Sequence, residues 1–513
     1  EEVVAQKRRI MEMLFANETA SLARRLVDIL HNDLAIESVT EDAVASLLMD
    51  VTSELPVYRT YADSNGMTAH DKRLVERAAD AVARRISQPD SSLLPGLRQA
   101  LTLEYPAGLS SDRHAFWLHT VMRWQQLSGP ATAKGLEDTS FYRFNRLISL
   151  NEVGGHAEGV ELKDAHRFLH SRAERWPHAM SASSTHDTKR SEDARARIHA
   201  LTWMADDWVD VVQQWMEWNR PLKRDVRGQI FPDANMEWML YQTLAGVWPL
   251  RGEQAPDLHP RLQGFLTKAA REAKEHTSWL DVNGEYEDAL LGFTAALLDP
   301  SRSGRFLDNL QRIVDRIAPL GAVLSLSQLA VKATAPGVPD FYQGQELWDF
   351  SMADPDNRRS VDYAARQSAL DALAGANDAD VEAIVAAWPD GRIKLYATQQ
   401  LLALRRQHSD LFQAGRYVPL EVGPSLFAFA RRDRDEWVLT VTPRSMRPAP
   451  STPSKGGLPL GRSLGGGEVI RLPGGAPSRW RNVLTGQAHA ARNGRLSAGA
   501  LLQRFPVAVL TPA

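Results

Sequence analysis

Apolar positions recur at three- and four-residue steps across residues 1–125. Ile10, Met13, Leu14, Leu22, Leu26, Ile29 and Leu30 mark such a stripe, with charges between them, the spacing of amphipathic helices. Pro56-Val-Tyr-Arg-Thr-Tyr61 interrupts it as an extended, β-prone run, and Gln125-Gln-Leu-Ser-Gly-Pro130 reads as a helix breaker. Lys134–Arg146 is polar and aromatic with little helical or strand regularity. Ser181-Ala-Ser-Ser-Thr-His-Asp-Thr-Lys-Arg190 is a short small-residue strand that gives way to a loop. A helix follows it, acidic in its first turn (Glu192, Asp193) and basic after that (Arg195, Arg197), as the helix dipole prefers.

Residues 195–320 return to helix, with Ile198, Leu201, Met204, Trp208, Val212 and Trp215 on one stripe that reads as core. Val323–Ala330 is helical and leads to a second strand-to-loop junction at Pro336–Glu346, and 366–412 is helical again. From Arg416 onward the period shortens to two. Leu426–Ala430, Trp437–Val441 and Phe505–Leu510 read as strands of a β-sandwich, and Pro448–Gly467 as an exposed, mobile loop. No fixed-period repeat is visible.

With 513 residues, the chain is too long for one ordinary core. A net charge of −3 argues against general affinity for nucleic acid or anionic membranes, and no run of about 18 apolar residues points to a membrane span. Zero cysteines exclude disulfides, thiol nucleophiles and thiolate metal sites, and fit a reducing cytoplasm. The chain starts Glu-Glu-Val-Val inside a helical pattern, without Met or a signal peptide, which reads as a cut inside a longer protein. No Gly-x-Gly-x-x-Gly follows a strand, and none of the 14 histidines forms His-Glu-x-x-His, so dinucleotide and zincin chemistry are disfavoured.

Three segments, 134–152, 181–190 and 339–359, combine amide or charged groups with aromatic rings. A pyranose needs both: polar groups for its hydroxyls and an aromatic face beneath its ring. Tyr142, Arg143, Asn145 and Arg146 supply them, as do Asp340, Tyr342, Gln343, Gln345 and Glu346, and Asp354-Pro-Asp-Asn-Arg-Arg359 adds a third set. A carboxylate at a strand end, such as Asp187, is where α/β barrels place their chemistry. These segments together favour a carbohydrate site.

His186-Asp187 resembles the fourth signature region of glycoside hydrolase family 13, the α-amylase clan. Gly337-Val-Pro-Asp-Phe-Tyr-Gln-Gly-Gln-Glu346 resembles the region after that family's eighth barrel strand. Within the clan the chain resembles the maltooligosyl trehalose synthase family through Pro56–Tyr61, Lys134–Gly155 (with Leu150-Asn-Glu-Val-Gly-Gly155), Thr185–Arg190 and Pro336–Arg359. The resemblance implies the C-terminal part of a (β/α)8 TIM barrel with large helical insertions and a C-terminal antiparallel β-sandwich. The expected divisions are a helical insertion at 1–125, a barrel segment at 126–195, a helical subdomain at 196–320, the last strand with its loop and helices at 321–412, and the sandwich at 413–513. The helical segments would enclose the glucose that must stay bound; buttressing the barrel is the other reading.

The implied reaction is intramolecular transglucosylation, turning the reducing-end α-1,4 linkage of a maltooligosaccharide into an α,α-1,1 linkage by a retaining mechanism. Asp187 would be the third catalytic carboxylate, gripping ring hydroxyls rather than attacking, and His186 would hydrogen-bond the same sugar. Lys189 and Arg190 would line the acceptor side, and Asp354 and Arg358 the donor side. Tyr142 and Arg143 match family motifs without an assignable role. No metal or cofactor is implied, and the implied functional partner is a maltooligosyl trehalose trehalohydrolase. The family's nucleophilic Asp and acid Glu lie upstream, and nothing in 1–180 fits them. The chain is therefore expected to lack barrel strands one to five, to be inactive alone, and to be poorly soluble without its missing N-terminal barrel half. Two readings stay open: another α-amylase-clan hydrolase or glucanotransferase, and a non-catalytic glucan-binding remnant.

Overall fold

The computed structural model describes every residue except 38, 86–91, 156–158, 254, 376–379 and 447–455. The 448–455 part of the expected mobile loop lies outside the described residues. The chain divides into two compact units, residues 1–144 with 269–282 and residues 145–268 with 283–513.

The first unit is helical. Helices Glu2–Leu14, Ala16–Asp28, Glu41–Glu54, Ala69–Arg85, Leu93–Leu101 and Ser111–Thr132 bury Leu22, Leu26, Leu48, Val75, Trp117 and Trp124 together. Thr40 Oγ1 caps helix Glu41–Glu54 by accepting from Ala43 N at 3.2 Å, and Glu41 and Asp42 suit its dipole. Three expectations fail here. Met13 and Leu14 are exposed, and Met11 takes the buried position beside Ile10. The breaker at 125–130 is instead continuous helix, and the segment after it winds on as a π-helical turn, Ala133–Ser140, and helix Phe141–Arg143. Pro56–Tyr61 forms no strand. One side chain accounts for much of this. Buried Gln125 accepts from Thr60 Oγ1 (3.0 Å) and Ala62 N (2.6 Å) and donates to Ala62 O (3.1 Å), tying the extended run to the helix and satisfying its backbone without a strand partner.

The second unit is built on the helix Pro300–Thr334, kinked at Ser303. An 18-residue stretch of it has mean hydropathy 1.3 and is 83% buried, so the apolar run that the sequence reading did not find is a core helix. Helix Glu192–His199 lies against it so closely that a Cβ at Gly321 would stand 2.7 Å from Arg197 Cα. The Ile198–Trp215 stripe is buried throughout, and Trp215 meets Phe306 and Tyr241 edge-on at 4.9 and 5.2 Å. A hairpin, Arg224–Val226 with Gln229–Phe231, breaks the helical stretch. Its two turn residues, Arg227 and Gly228, both have positive φ, the geometry that suits a tight hairpin.

The C-terminal region is an antiparallel sheet of six strands, in spatial order Ala488–Ala490, Arg479–Asn482, Ala508–Pro512, Glu436–Pro443, Leu426–Asp433 and Arg416–Pro419. A separate pair joins Val469–Arg471 to Arg495–Ser497. No barrel is seen among the described residues. Their one parallel pairing sets Met180–Ser181 beside Val338–Pro339.

Candidate functional site

That parallel pair brings together two loops 150 residues apart in sequence. Val338 N donates to Ala179 O (3.0 Å) and Asp340 N to Ser181 O (2.9 Å), so loops 182–191 and 340–359 leave the same end of the pair. Gly337 makes the join possible: its φ is +117°, and a Cβ there would stand 2.6 Å from Ala179 O.

Within the first loop, Asp187 N donates to Thr185 Oγ1 (3.2 Å), and Thr188 Oγ1 donates to Thr185 O (2.8 Å). His186 Nε2 lies 3.3 Å from Asp187 Oδ2, and the two side chains are 66% and 60% exposed. From the second loop Arg358 donates through Nη2 to Asp187 Oδ1 and through Nε to His186 O, both at 3.3 Å. Arg358 also faces Asp354 at 3.7 Å, whose carboxylate pairs with Lys268. Thus His186, Asp187, Asp354 and Arg358 form one cluster, with an accessible carboxylate between an imidazole and a guanidinium.

The other candidates do not join that cluster. Tyr342 is half-buried and its hydroxyl donates to Asn357 O at 3.1 Å; Asp340 is half-buried and Gln343 exposed. Lys189 and Arg190 are buried, the Arg190 guanidinium 5.4 Å from the Phe265 ring centre. Tyr142 and Arg143 belong to the first unit, Tyr142 buried and Arg143 bonded to Glu2 (2.7 Å) and Glu275 (3.1 Å). Asn145, in the second unit, is buried, and its carbonyl accepts from Gln242 at 2.8 Å.

Sequence reasoning did not single out Asn357. Its Nδ2 faces three carbonyls of the first loop, Thr185 (3.3 Å), His186 (3.1 Å) and Thr188 (3.5 Å). Its place in the Asp354–Arg359 run was the available signal. Lys268 lies on a helix with no motif to mark it.

Behind the loop is a buried ionic cluster. Lys394 Nζ is 2.7 Å from both Glu192 Oε1 and Asp193 Oδ2. Lys332 lies 3.4 Å from Glu192 Oε2 and donates to Ser183 Oγ at 2.7 Å. Burial alone would raise the Glu192 carboxyl, but Lys394 and Lys332 hold it down at about 2. Asp193, fully enclosed beside Glu192, is pushed up by burial despite Lys394. Burial would lower Lys394, yet its two carboxylates raise it; Lys332 is lowered, chiefly by burial.

The flank of the strand pair is apolar and bare. Phe168, Trp176, Met180 and Val338 are exposed, and helix Leu162–Arg175 buries no residue. A cavity of about 930 Å³, mostly apolar, is lined there by Phe168, Leu169, Ser181, Ser183, Val331 and Phe427, among others. The described residues contain no group of three or more His, Asp or Glu placed to hold a metal ion.

Parallel strands that deliver polar side chains from their carboxyl ends define an α/β protein whose site is built from strand-end loops, here with an antiparallel sheet following. The chain is a homologue of the maltooligosyl trehalose synthases. Two curated relatives from Mycobacterium tuberculosis, strains CDC 1551 and H37Rv, are provisionally named maltooligosyl trehalose synthase. Each is 36% identical over 394 residues, 76% of this chain and 45% of the relative. The solved maltooligosyltrehalose synthase of Arthrobacter ramosus matches all of this chain over 58% of its own length, at 30% identity and a TM-score of 0.75. Another solved maltooligosyl trehalose synthase matches at 25% identity and a TM-score of 0.71, over 57% of its length. This chain therefore spans about half the length of these relatives. No family model matches it.

Proposed function

We propose that this chain is the C-terminal portion of an intramolecular transglucosylase. That enzyme would convert the reducing-end α-1,4 linkage of a maltooligosaccharide into an α,α-1,1 linkage. The observation that carries the proposal is Asp187, accessible between His186 and Arg358 where the two strand-end loops meet, in a homologue of maltooligosyl trehalose synthases.

The Met180–Ser181 and Val338–Pro339 strands are read as the last two of a (β/α)8 barrel whose first five strands lie upstream. The bare apolar flank and its cavity support this, since an uncovered face of that kind implies a partner surface. The upstream half would supply the nucleophilic Asp and the acid Glu of a retaining mechanism. Asp187 would grip hydroxyls of the glucosyl unit through its carboxylate and favour the oxocarbenium-like geometry, with His186 bonding the same sugar. Asp354 and Arg358 would bound the donor side. The released glucose must then turn and attack the glycosyl-enzyme before water, at ~55 M, does so, which requires a closed pocket. The cysteine-free composition suits a reducing cytoplasm, and a trehalohydrolase is the proposed consumer of the product.

The test is to incubate maltopentaose with this chain, with and without its upstream half, and to follow loss of reducing ends. A non-reducing product only with the added half supports the proposal. Shorter reducing sugars would replace it with a hydrolase or glucanotransferase; glucan binding without turnover in the assembled protein would leave a binding remnant. Turnover by the chain alone would overturn the assignment of the nucleophile and acid to the upstream half.

A further inference from the structure

Glu152 is a buried carboxylate that this chemistry leaves unused. It is 6% exposed and sits in the tight turn Leu150–Gly155, where Glu152 N donates to Leu150 O (2.9 Å) and Gly155 N to Glu152 O (2.7 Å). A Cβ at Gly155 would lie 2.8 Å from both of those carbonyl oxygens, so the turn has little freedom to shift. From it the carboxylate reaches across 37 residues to the loop that carries Asp187. Oε2 accepts from Lys189 N at 3.0 Å, the backbone N–H of Arg190 also donates to the carboxylate, and Oε1 accepts from Val153 N at 2.8 Å. Arg195 Nε lies 3.8 Å from Oε2, and the same guanidinium donates to Ser183 O.

Glu152 and Arg195 therefore hold the backbone on both sides of His186-Asp187, the carboxylate after it and the guanidinium before it. Asn357 holds the carbonyls between. Asp187 has weaker fixings of its own: its carboxylate is mostly exposed and its two side-chain partners stand at 3.3 Å. A carboxylate that must meet ring hydroxyls within a fraction of an ångström takes that placement from its backbone.

We propose that Glu152 is a positioning residue for the Asp187 chemistry: through the N–H groups of Lys189 and Arg190 it sets the direction in which Asp187 meets the sugar. The proposal rests on the reading of Asp187 given above. Burial raises the Glu152 carboxyl, against the pull of Arg195 and of the three backbone N–H groups.

The experiment compares Glu152→Gln and Glu152→Asp with wild type, each assembled with the upstream half and assayed on maltopentaose. Glutamine is isosteric but turns an NH2 toward one of the N–H donors; aspartate keeps the carboxyl group on a shorter stem. Expected for Glu152→Gln is a kcat lower by about 10- to 100-fold with KM within threefold and an unchanged melting transition. Glu152→Asp should recover part of the loss. A kcat within twofold of wild type in Glu152→Gln, or a loss matched by the unfolded fraction, would overturn the proposal, as would a rise in KM alone. An inactive wild-type assembly would instead count against the functional reading. The inference is then decided by the ring resonances of His186, assigned from their loss in His186→Gln: they should move in Glu152→Gln, and unmoved resonances would overturn it.

Discussion

Replacing Lys394 by methionine removes the cation that joins Glu192 and Asp193 while keeping most of the side-chain volume. Lys394 is 1% exposed and stands 2.7 Å from each carboxylate. At ~3 Å and an effective dielectric of ~20, each attraction is roughly 5 kcal/mol before desolvation is subtracted. Breaking one member out of a buried ionic group costs about 3–5 kcal/mol net, because the remaining charge is left enclosed. The sign with pH follows from the same groups. In wild type Glu192 is depressed to about 2, so its contribution is complete above the ordinary carboxylate value and is lost only as pH falls toward 2. In Lys394→Met the two carboxylates crowd each other without that cation and their folded values rise; stability is then lost as pH increases through those raised values. The deficit should therefore be larger at pH 7.5 than at pH 5. Urea unfolding followed by circular dichroism reads this in the transition of the second unit, since the two units need not unfold together. With a slope of about 3 kcal/mol per molar urea, the midpoint should drop by roughly 1–1.7 M at pH 7.5 and by clearly less at pH 5. A drop below about 0.3 M, or an equal drop at both pH values, would refute the argument that Lys394 neutralises two enclosed charges.

Lys7 gives a second pH test, in the first unit. Its ammonium donates to Leu55 O at 2.9 Å, and burial lowers it to about 8 against the pull of Glu54; the unfolded chain thus binds the extra proton between pH 8 and 10.5, and stability should rise across that window by up to ~3 kcal/mol. Melting of wild type and Lys7→Met at pH 7.5 and 9.5 checks it, since the variant should lose that rise. Gly337→Ala places a Cβ 2.6 Å from Ala179 O at φ +117° and should cost about 2 kcal/mol or more, seen as a lower midpoint for the second unit. Asp187→Asn, assembled with the upstream half, should lower kcat on maltopentaose by about 10³-fold or more, with the melting temperature of wild type; an activity within tenfold would remove Asp187 from the chemistry.

Local period made some of this structure legible and tertiary bonds hid the rest. The Ile198–Trp215 stripe is buried as its spacing indicated, because a one-sided apolar face has few other solutions. The alternating runs from Arg416 onward form the C-terminal sheet for the same reason at period two. Met13 and Leu14 keep the helical spacing from Ile10 but stand in the last turn of helix Glu2–Leu14, whose buried face runs through Gln6, Lys7, Ile10 and Met11. The helix through Gln125–Pro130 was misread because its support comes from Thr60 and Ala62, some 65 residues away. The hairpin at 224–231 rests on an Arg-Gly turn, a weaker cue than Asn-Gly. In the site, motif resemblance pointed to His186, Asp187, Asp354 and Arg358, which the structure places together. It did not point to Asn357 or Lys268, whose work is on backbone carbonyls and on Asp354.

Of the motif residues, the pair at the centre of the cluster faces outward and holds itself least. His186 and Asp187 are mostly exposed, and the bonds to their side chains are long. The backbone beneath them is fixed by buried or half-buried groups: Asn357 on three carbonyls, Glu152 on the N–H groups of Lys189 and Arg190, and Arg195 on Ser183 O. Those anchors stand in turn on the Glu192–Asp193–Lys394–Lys332 cluster, through Ser183 and the start of helix Glu192–His199. Buried polar groups that are fully bonded cost little and define one geometry; partly bonded, they are among the most destabilising features of a fold. On the proposed reading of Asp187, a substitution in this inner layer should therefore lower kcat in the same direction as one at Asp187, by less, without touching the sugar.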